Sequence, residues 1–113
     1  VLARQHGLAL SVVDAGVAHD FAPREGLLIR KIAPGTADAS AGPAMTSMQC
    51  WAALQAGIEV VRGLPGNVLL LGEMGIANTS AAALLLARVA GAPLAGCVGR
   101  GTGLDDAGLA HKR

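Results

Sequence analysis

The sequence predicts an α/β fold with a mainly parallel sheet and flanking helices, on three observations. Short aliphatic runs without polar alternation suit strands covered on both faces. Helical periodicity fills the stretches between them, and the two kinds of segment alternate along all 113 residues. Sixteen glycines punctuate these segments without gathering into a linker, so one continuous domain portion is expected.

The first strand is predicted from Leu8 to Val13, where β-branched residues gather before the turn Asp14-Ala15-Gly16, and Asp14 falls at its carboxyl end. Leu27 to Ile32 is a weaker strand, followed from Ala33 to Gly42 by a loop rich in Gly, Pro, Ser and Asp. Thr46-Ser47-Met48-Gln49 has the spacing of a reciprocal capping box, in which hydroxyl and side-chain amide each satisfy a backbone N–H of the first turn. A helix is therefore predicted after Thr46. Its apolar positions are Met48, Trp51, Ala52, Leu54, Ile58 and Val61, and Gly63 followed by Pro65 supplies the stop. Val68 to Leu71 reads as a buried parallel strand. Asn78, Thr79 and Ser80 are each able to cap the next helix, Ala81 to Ala90, which is apolar on nearly every side and so predicted to be buried, ending at Gly91 with Pro93 beyond. Leu94 to Val98 is a marginal strand, and a last helix starts at Thr102 or Asp105.

Composition limits the function classes. Nine Lys plus Arg against eight Asp plus Glu give a charge of +1, which excludes a strongly electrostatic nucleic-acid binder or a polybasic membrane module. Charged residues are 15% and hydrophobic ones 52%, with a mean hydropathy of +0.49. So few charges do not cover a small domain with a high ratio of surface to volume, and much of the surface is expected to lie under other polypeptide. The chain opens on Val1 and stops at His111-Lys112-Arg113 soon after a helix start, so it reads as an interior piece of a larger domain. The longest apolar run, Ala81 to Ala87, is far shorter than the roughly 18 residues of a membrane span. No leader-like stretch opens the chain. Cys50 and Cys97 have no metal-ligand spacing and suggest buried reduced thiols in a cytoplasmic protein. His6, His19 and His111 are too scattered for a zinc site or a triad.

Two glycine-rich turns lead into helices. The first is Gly72-Glu73-Met74-Gly75-Ile76-Ala77-Asn78-Thr79 and the second Gly99-Arg100-Gly101-Thr102-Gly103. A strand-to-helix turn is where free amides and the helix dipole hold a phosphate, although glycine there also answers a need for positive φ. Neither turn is a dinucleotide fingerprint, since Leu104 stands where the third Gly belongs, and neither ends in the GK[ST] of a P-loop. Glu73 follows four aliphatics at the carboxyl end of a predicted central strand, facing the usual ligand crevice of α/β proteins. It suits ribose hydroxyls or positive charge developing on a sugar, or else it is satisfied by nearby helix amides. Asp105 and Asp106 suit the start of a helix. Lys112 offers a charge to a phosphate or simply faces solvent.

The stretches Val13-Asp14-Ala15-Gly16-Val17, Ile29-Arg30-Lys31-Ile32 and Gly42-Pro43-Ala44-Met45-Thr46, together with the turns Gly72 to Thr79 and Gly99 to Asp106 and with Lys112, resemble the nicotinate-nucleotide:dimethylbenzimidazole phosphoribosyltransferase family. The likeness runs in family order without a gap from about Leu8 to Arg113 and covers the central third or so of such an enzyme. It implies transfer of phosphoribose from nicotinate mononucleotide to 5,6-dimethylbenzimidazole, giving α-ribazole phosphate for the lower nucleotide loop of cobalamin, with no cofactor and no metal. It also implies a Rossmann-like large domain, to which residues 1–113 belong, a small helical domain built outside this chain, and a cytoplasmic homodimer. By motif matching Glu73 falls on an active-site carboxylate, Gly75 and Gly101 on glycines lining the nucleotide site and Lys112 on a lysine near it. Met74, Asn78, Thr79, Gly99, Arg100, Thr102, Gly103 and Asp105 are expected to bind substrate with them. Ala77 departs from the family, where Gly is commoner; if the position needs positive φ, Ala strains the loop by about 1 kcal/mol. The family's general base, a glutamate that takes the benzimidazole proton, is expected beyond Arg113, so the chain alone is expected to be inactive.

One geometric constraint follows. A helix running continuously from Thr102 to Lys112 would set their backbones about 15 Å apart, too far to share a phosphate; either the helix starts later, near Asp105, or Lys112 meets another part of the ligand, and the later start is preferred because the Gly101-Thr102-Gly103 run and Gly108 weaken helix there. The competing readings are a non-catalytic nucleotide or phosphate-binding module, and an assembly piece whose glycine turns serve packing alone.

Overall fold

The computed structural model describes residues 2–112. The chain divides into two units, Val1–Gly66 and Asn67–Arg113. The element order is α1 (Leu2–Gln5), β1 (Val12–Asp14), β2 (Leu27–Ile29), α2 (Ser47–Gly63), α3 (Asn78–Ala90), α4 (Leu94–Cys97) and α5 (Asp106–Lys112). It is an α/β arrangement with one parallel pair of strands.

In the first unit, α1 is a single turn that the sequence did not signal. It stops at Gly7, φ 63°, where Leu8 N–H reaches back to the Ala3 carbonyl and Gly7 N–H to that of Arg4. The strands pair Val12 with Leu27, Val13 with Leu28 and Asp14 with Ile29. Both are shorter than predicted, because a strand extends only as far as its ladder has a partner. The turn after β1 and the loop after β2 meet closely: a Cβ on Gly16 would stand 3.2 Å from the Ala33 carbonyl oxygen.

The capping box forms as predicted. Gln49 N–H donates to Thr46 Oγ1 at 3.1 Å, and Thr46 N–H donates to Gln49 Oε1 at 2.8 Å. At the other end the helix runs through Gly63, and the stop is set by Pro65. Leu64 takes φ −83°, ψ 139°, the extended conformation that a following proline imposes. The apolar positions of α2 are exposed, Trp51 by 72% and Met48 by 81%.

In the second unit the predicted strand Val68 to Leu71 is absent: the segment has no paired neighbour, and Leu70 and Leu71 are exposed. Four aliphatics supply a strand's side chains but not the partner that makes it one. The helix predicted from Ala81 starts at Asn78 and ends at Gly91, φ 63°, as its glycine stop requires. Its burial is corrected. Only Ala83 is buried, while Leu84, Leu85, Leu86 and Val89 are exposed. Leu94–Cys97 is a helical turn, not a strand, with Pro93 at its start and the Val98 N–H bonded to the Leu94 carbonyl. Without β-branched residues or a sheet neighbour, Leu-Ala-Gly-Cys takes the local hydrogen bonds available to it. This turn packs against α3, and Val98 is buried.

Two separate compact units of these sizes would together expose about 7,000 Å², whereas the chain exposes 9429 Å². Ala83 and Val98 are the only buried apolar side chains among the described residues. Cys50, expected buried, is exposed, and Cys97 is half-buried. No helix among the described residues is long and apolar enough to cross a membrane.

Candidate functional site

Every predicted site residue lies in the unit Asn67–Arg113. The first turn ends at Ala77, which precedes α3 in the left-handed conformation, φ 71°, ψ 0°, and no side chain caps the helix. Asn78, Thr79 and Ser80, the predicted caps, are all inside α3. Their first-turn position leaves them free for other contacts. Asn78 turns back: its Nδ2 donates to Glu73 Oε2, and its backbone N–H to the Gly75 carbonyl at 3.4 Å. Its side chain lies over Gly75 so closely that a Cβ there would meet Nδ2 at 2.6 Å. Met74 projects into solvent, fully exposed.

The second turn needs glycine for its backbone. Gly101 has φ 64° and Gly103 φ 113°. Helix α5 starts at Asp106, in line with the preferred late start, and Asp105 accepts from the Gly108 N–H through Oδ1 at 2.7 Å. Asp105 is thus occupied in capping α5. The Arg100 guanidinium is occupied nearby, donating to the Leu104 carbonyl at 2.9 Å and pairing with Asp106. Thr102 lies in the exposed turn between them.

The two turns converge at Gly101. A Cβ on it would stand 3.5 Å from Lys112 Nζ and 3.5 Å from Thr79 Oγ1, so an ammonium and a hydroxyl flank the same stretch of main chain. Lys112 also donates to the Gly99 carbonyl at 3.3 Å. Residues from the first turn of α3, from the second glycine turn and from the end of α5 are thereby brought together. Glu73, Gly75 and Asn78 form an adjoining group through the same first turn of α3, while Met74, Arg100, Thr102, Gly103 and Asp105 do not join either.

The first unit holds a polar cluster that sequence reasoning recorded only as Asp14 at the end of β1. Asp14 is buried; its Oδ1 accepts from Gly16 N–H at 3.0 Å and Val17 N–H at 2.9 Å, and its Oδ2 faces Lys31 Nζ at 3.4 Å. Lys31 also donates to the His19 carbonyl at 2.6 Å and to Asp20 Oδ1 at 3.1 Å. The Val17 amide foremost, with the Gly16 amide and the Lys31 ammonium, holds the Asp14 carboxyl below the usual carboxylate range against the opposing effect of burial. Burial pushes Lys31 down, yet Asp20 and Asp14 more than offset it and hold the ammonium above its ordinary value. The cluster ties the turn after β1 to the end of β2. Among the described residues, no group of three His, Cys, Asp or Glu side chains is arranged to hold a metal ion.

An α/β chain that gathers a lysine, a hydroxyl and two glycine-rich turns beside a hydrogen-bonded carboxylate is equipped to grip an anionic group. The model of a family described as Phosphoribosyltransferase matches residues 1–113, and the chain belongs to that family. The nicotinate-nucleotide--dimethylbenzimidazole phosphoribosyltransferase of Variovorax paradoxus (strain S110) is 71% identical over 113 residues, covering all of this chain and 32% of the relative. That of Dechloromonas aromatica (strain RCB) is 59% identical, covering all of this chain and 33% of the relative. The crystal structure of CobT from Thermus thermophilus aligns with a TM-score of 0.84 at 43% identity, over 97% of this chain and 34% of that one. The chain spans about a third of the length of the relatives it matches.

Proposed function

We propose that this chain carries the phosphoribosyl-holding part of an enzyme that transfers phosphoribose from nicotinate mononucleotide to 5,6-dimethylbenzimidazole, giving α-ribazole phosphate for cobalamin. The observation that carries this reading is the convergence of Lys112 and Thr79 on Gly101. A phosphate ester there gains from the ammonium, the hydroxyl and the N-terminal end of α3, which no side chain caps and whose dipole favours negative charge. Gly99, Gly101 and Gly103 let the ligand approach the main chain, and Gly75, Asn78, Arg100, Thr102 and Asp105 shape the turns. Glu73 stands where positive charge grows on the ribose as the bond from C1′ to the pyridine nitrogen breaks. The benzimidazole nitrogen forms the new bond to C1′, and its proton leaves to a base supplied by polypeptide outside residues 1–113. No metal or cofactor takes part.

The rest of the reading concerns what surrounds the chain. The exposed stripe of α2 and the open faces of α3 suit coverage by the remainder of a Rossmann-like large domain in a cytoplasmic homodimer. The isolated 113-residue chain is therefore expected to form no product.

The test replaces the matched third of the Variovorax paradoxus relative with this chain and measures α-ribazole phosphate. Product from the chimera, together with a rise of 10-fold or more in the KM for nicotinate mononucleotide on Lys112→Met, supports the proposal; a loss of this order is typical of a charge-assisted hydrogen bond. A folded chimera without activity, or a KM indifferent to Lys112→Met, refutes it.

A further inference from the structure

The sequence treats Asn78 as one more substrate contact, but its geometry describes a different job. Glycine at position 75 is not required by the backbone, because Gly75, unlike Gly101, does not have a positive φ. Space requires it instead. A Cβ on Gly75 would lie 2.6 Å from Asn78 Nδ2, 3.0 Å from Cγ and 3.0 Å from Oδ1, so the whole carboxamide rests on the glycine. Below 3.0 Å from a Cβ something must shift, and here the group that gives way is the Asn78 carboxamide, so any other residue at 75 displaces it from its seat.

The carboxamide that occupies this space ends on the acid. Nδ2 donates to Glu73 Oε2, and Glu73 is otherwise an exposed side chain with no second hydrogen-bond partner among the described residues. A glutamate on an open turn samples many rotamers, and one hydrogen bond from a fixed donor selects among them. The donor is fixed because Asn78 is the first residue of α3, held by its own N–H to the Gly75 carbonyl. The choice of Asn also follows. Aspartate of the same shape offers no donor and sets a like charge beside the carboxylate, whereas the carboxamide donates without adding charge.

We propose that Asn78 is a positioning residue: its carboxamide, seated on Gly75, orients the Glu73 carboxylate toward the sugar. This rests on the phosphoribosyl-transfer reading above. It assigns Gly75 a role through Asn78 in place of direct contact with the nucleotide.

The experiment uses the active chimera and a double-mutant cycle. Asn78→Ala lowers kcat by roughly 10- to 100-fold, the range expected for losing a hydrogen bond to a charged group, and leaves the KM for nicotinate mononucleotide within about twofold. Asn78→Asp, isosteric but without the donor, loses at least as much. With Glu73→Gln in place, Asn78→Ala has little further effect, since both substitutions disable one unit. Gly75→Ala reproduces the Asn78→Ala loss and does not add to it. An effect confined to KM, independent multiplication of the Glu73 and Asn78 losses, or full activity in Asn78→Asp overturns the proposal. A readout independent of turnover is the pair of Asn78 side-chain amide protons followed by NMR. They shift on Glu73→Gln if the hydrogen bond exists, and their indifference overturns the proposal even in a chimera that makes product. A chimera that makes none, with the amide protons still responding, refutes the transfer reading instead.

Discussion

Ala77→Gly is expected to tighten the start of α3, and the sign of this change depends on one dihedral angle. Ala77 sits at φ 71°, ψ 0°, and is the only residue other than glycine with positive φ among those described. For an L-residue the left-handed conformation costs roughly 1–2 kcal/mol, because Cβ approaches the carbonyl oxygen. Glycine removes that strain but enlarges the unfolded ensemble, which takes back about 0.4–1 kcal/mol. The balance is a stabilisation of about 0.5–1 kcal/mol, and it belongs to local opening of the turn and the first helical residues. The proper probes are the amides of Ser80 and Ala81, which both donate to the Ala77 carbonyl. Their hydrogen exchange in the chimera should slow by roughly two- to fivefold. Were Ala77 at negative φ, glycine would instead loosen the helix start by about 0.5–1 kcal/mol, and exchange would quicken. Faster or unchanged exchange therefore refutes the strained turn. Ala77→Val, which places a branched side chain in the same conformation, should accelerate exchange well beyond the wild type.

Four further outcomes are expected of the chimera. Thr46→Ala removes the hydroxyl that accepts from Gln49 N–H and should weaken α2 by about 1 kcal/mol, read as faster exchange of the Gln49 amide; an unchanged rate would discount the capping box. Asp105→Ala deprives the Gly108 N–H of its acceptor and should free α5, costing about 1 kcal/mol and raising the KM for nicotinate mononucleotide through misplaced Lys112. Neutralising the exposed Arg100–Asp106 pair should do much less, as surface ion pairs do. The Asp14 carboxyl is held below its unfolded value, so the unfolded chain binds more protons in acid and stability rises with pH there. Its contribution is present above about pH 4 and lost as pH falls through the folded pKa. Asp14→Asn should accordingly flatten the acid side of the stability profile measured by urea unfolding, and an unaltered acid limb would mean that Asp14 does not carry it.

What the sequence made legible is what neighbours in the chain decide. The capping box of α2 closes over three residues, and Thr46 and Gln49 spell it out. The stop at Gly91 is a property of one residue, and the late start of α5 is a property of the nearby glycines at 101, 103 and 108, which weaken helix there. The strand Val68 to Leu71 was illegible for the opposite reason. Its aliphatics describe a strand's faces, but hydrogen-bonded edges come from elsewhere, and nothing in those four residues says where. Leu94–Cys97 likewise became helical because local bonds were the only ones on offer.

The site divides along the same line, and Asn78 shows where. The residues that carry it are glycines, and glycine in a turn has two physical meanings: a dihedral angle that other residues resist, or a neighbour that leaves no room. Sequence spacing does not separate them. Gly101 has the first meaning, with φ 64° and Thr79 and Lys112 in van der Waals contact with the place of its missing side chain, whereas Gly75 has the second. Only at Gly75 would an added Cβ come closer than 3.0 Å to another side chain, and the side chain it would displace leads to the carboxylate. The ion pair of Asp14 and Lys31 lay hidden for a related reason: its partners stand at the ends of two parallel strands, so the connection that joins them crosses a whole loop. Contacts that need the fold are found only in the fold, and here they are the ones that turn a list of conspicuous residues into a site with distinguishable roles.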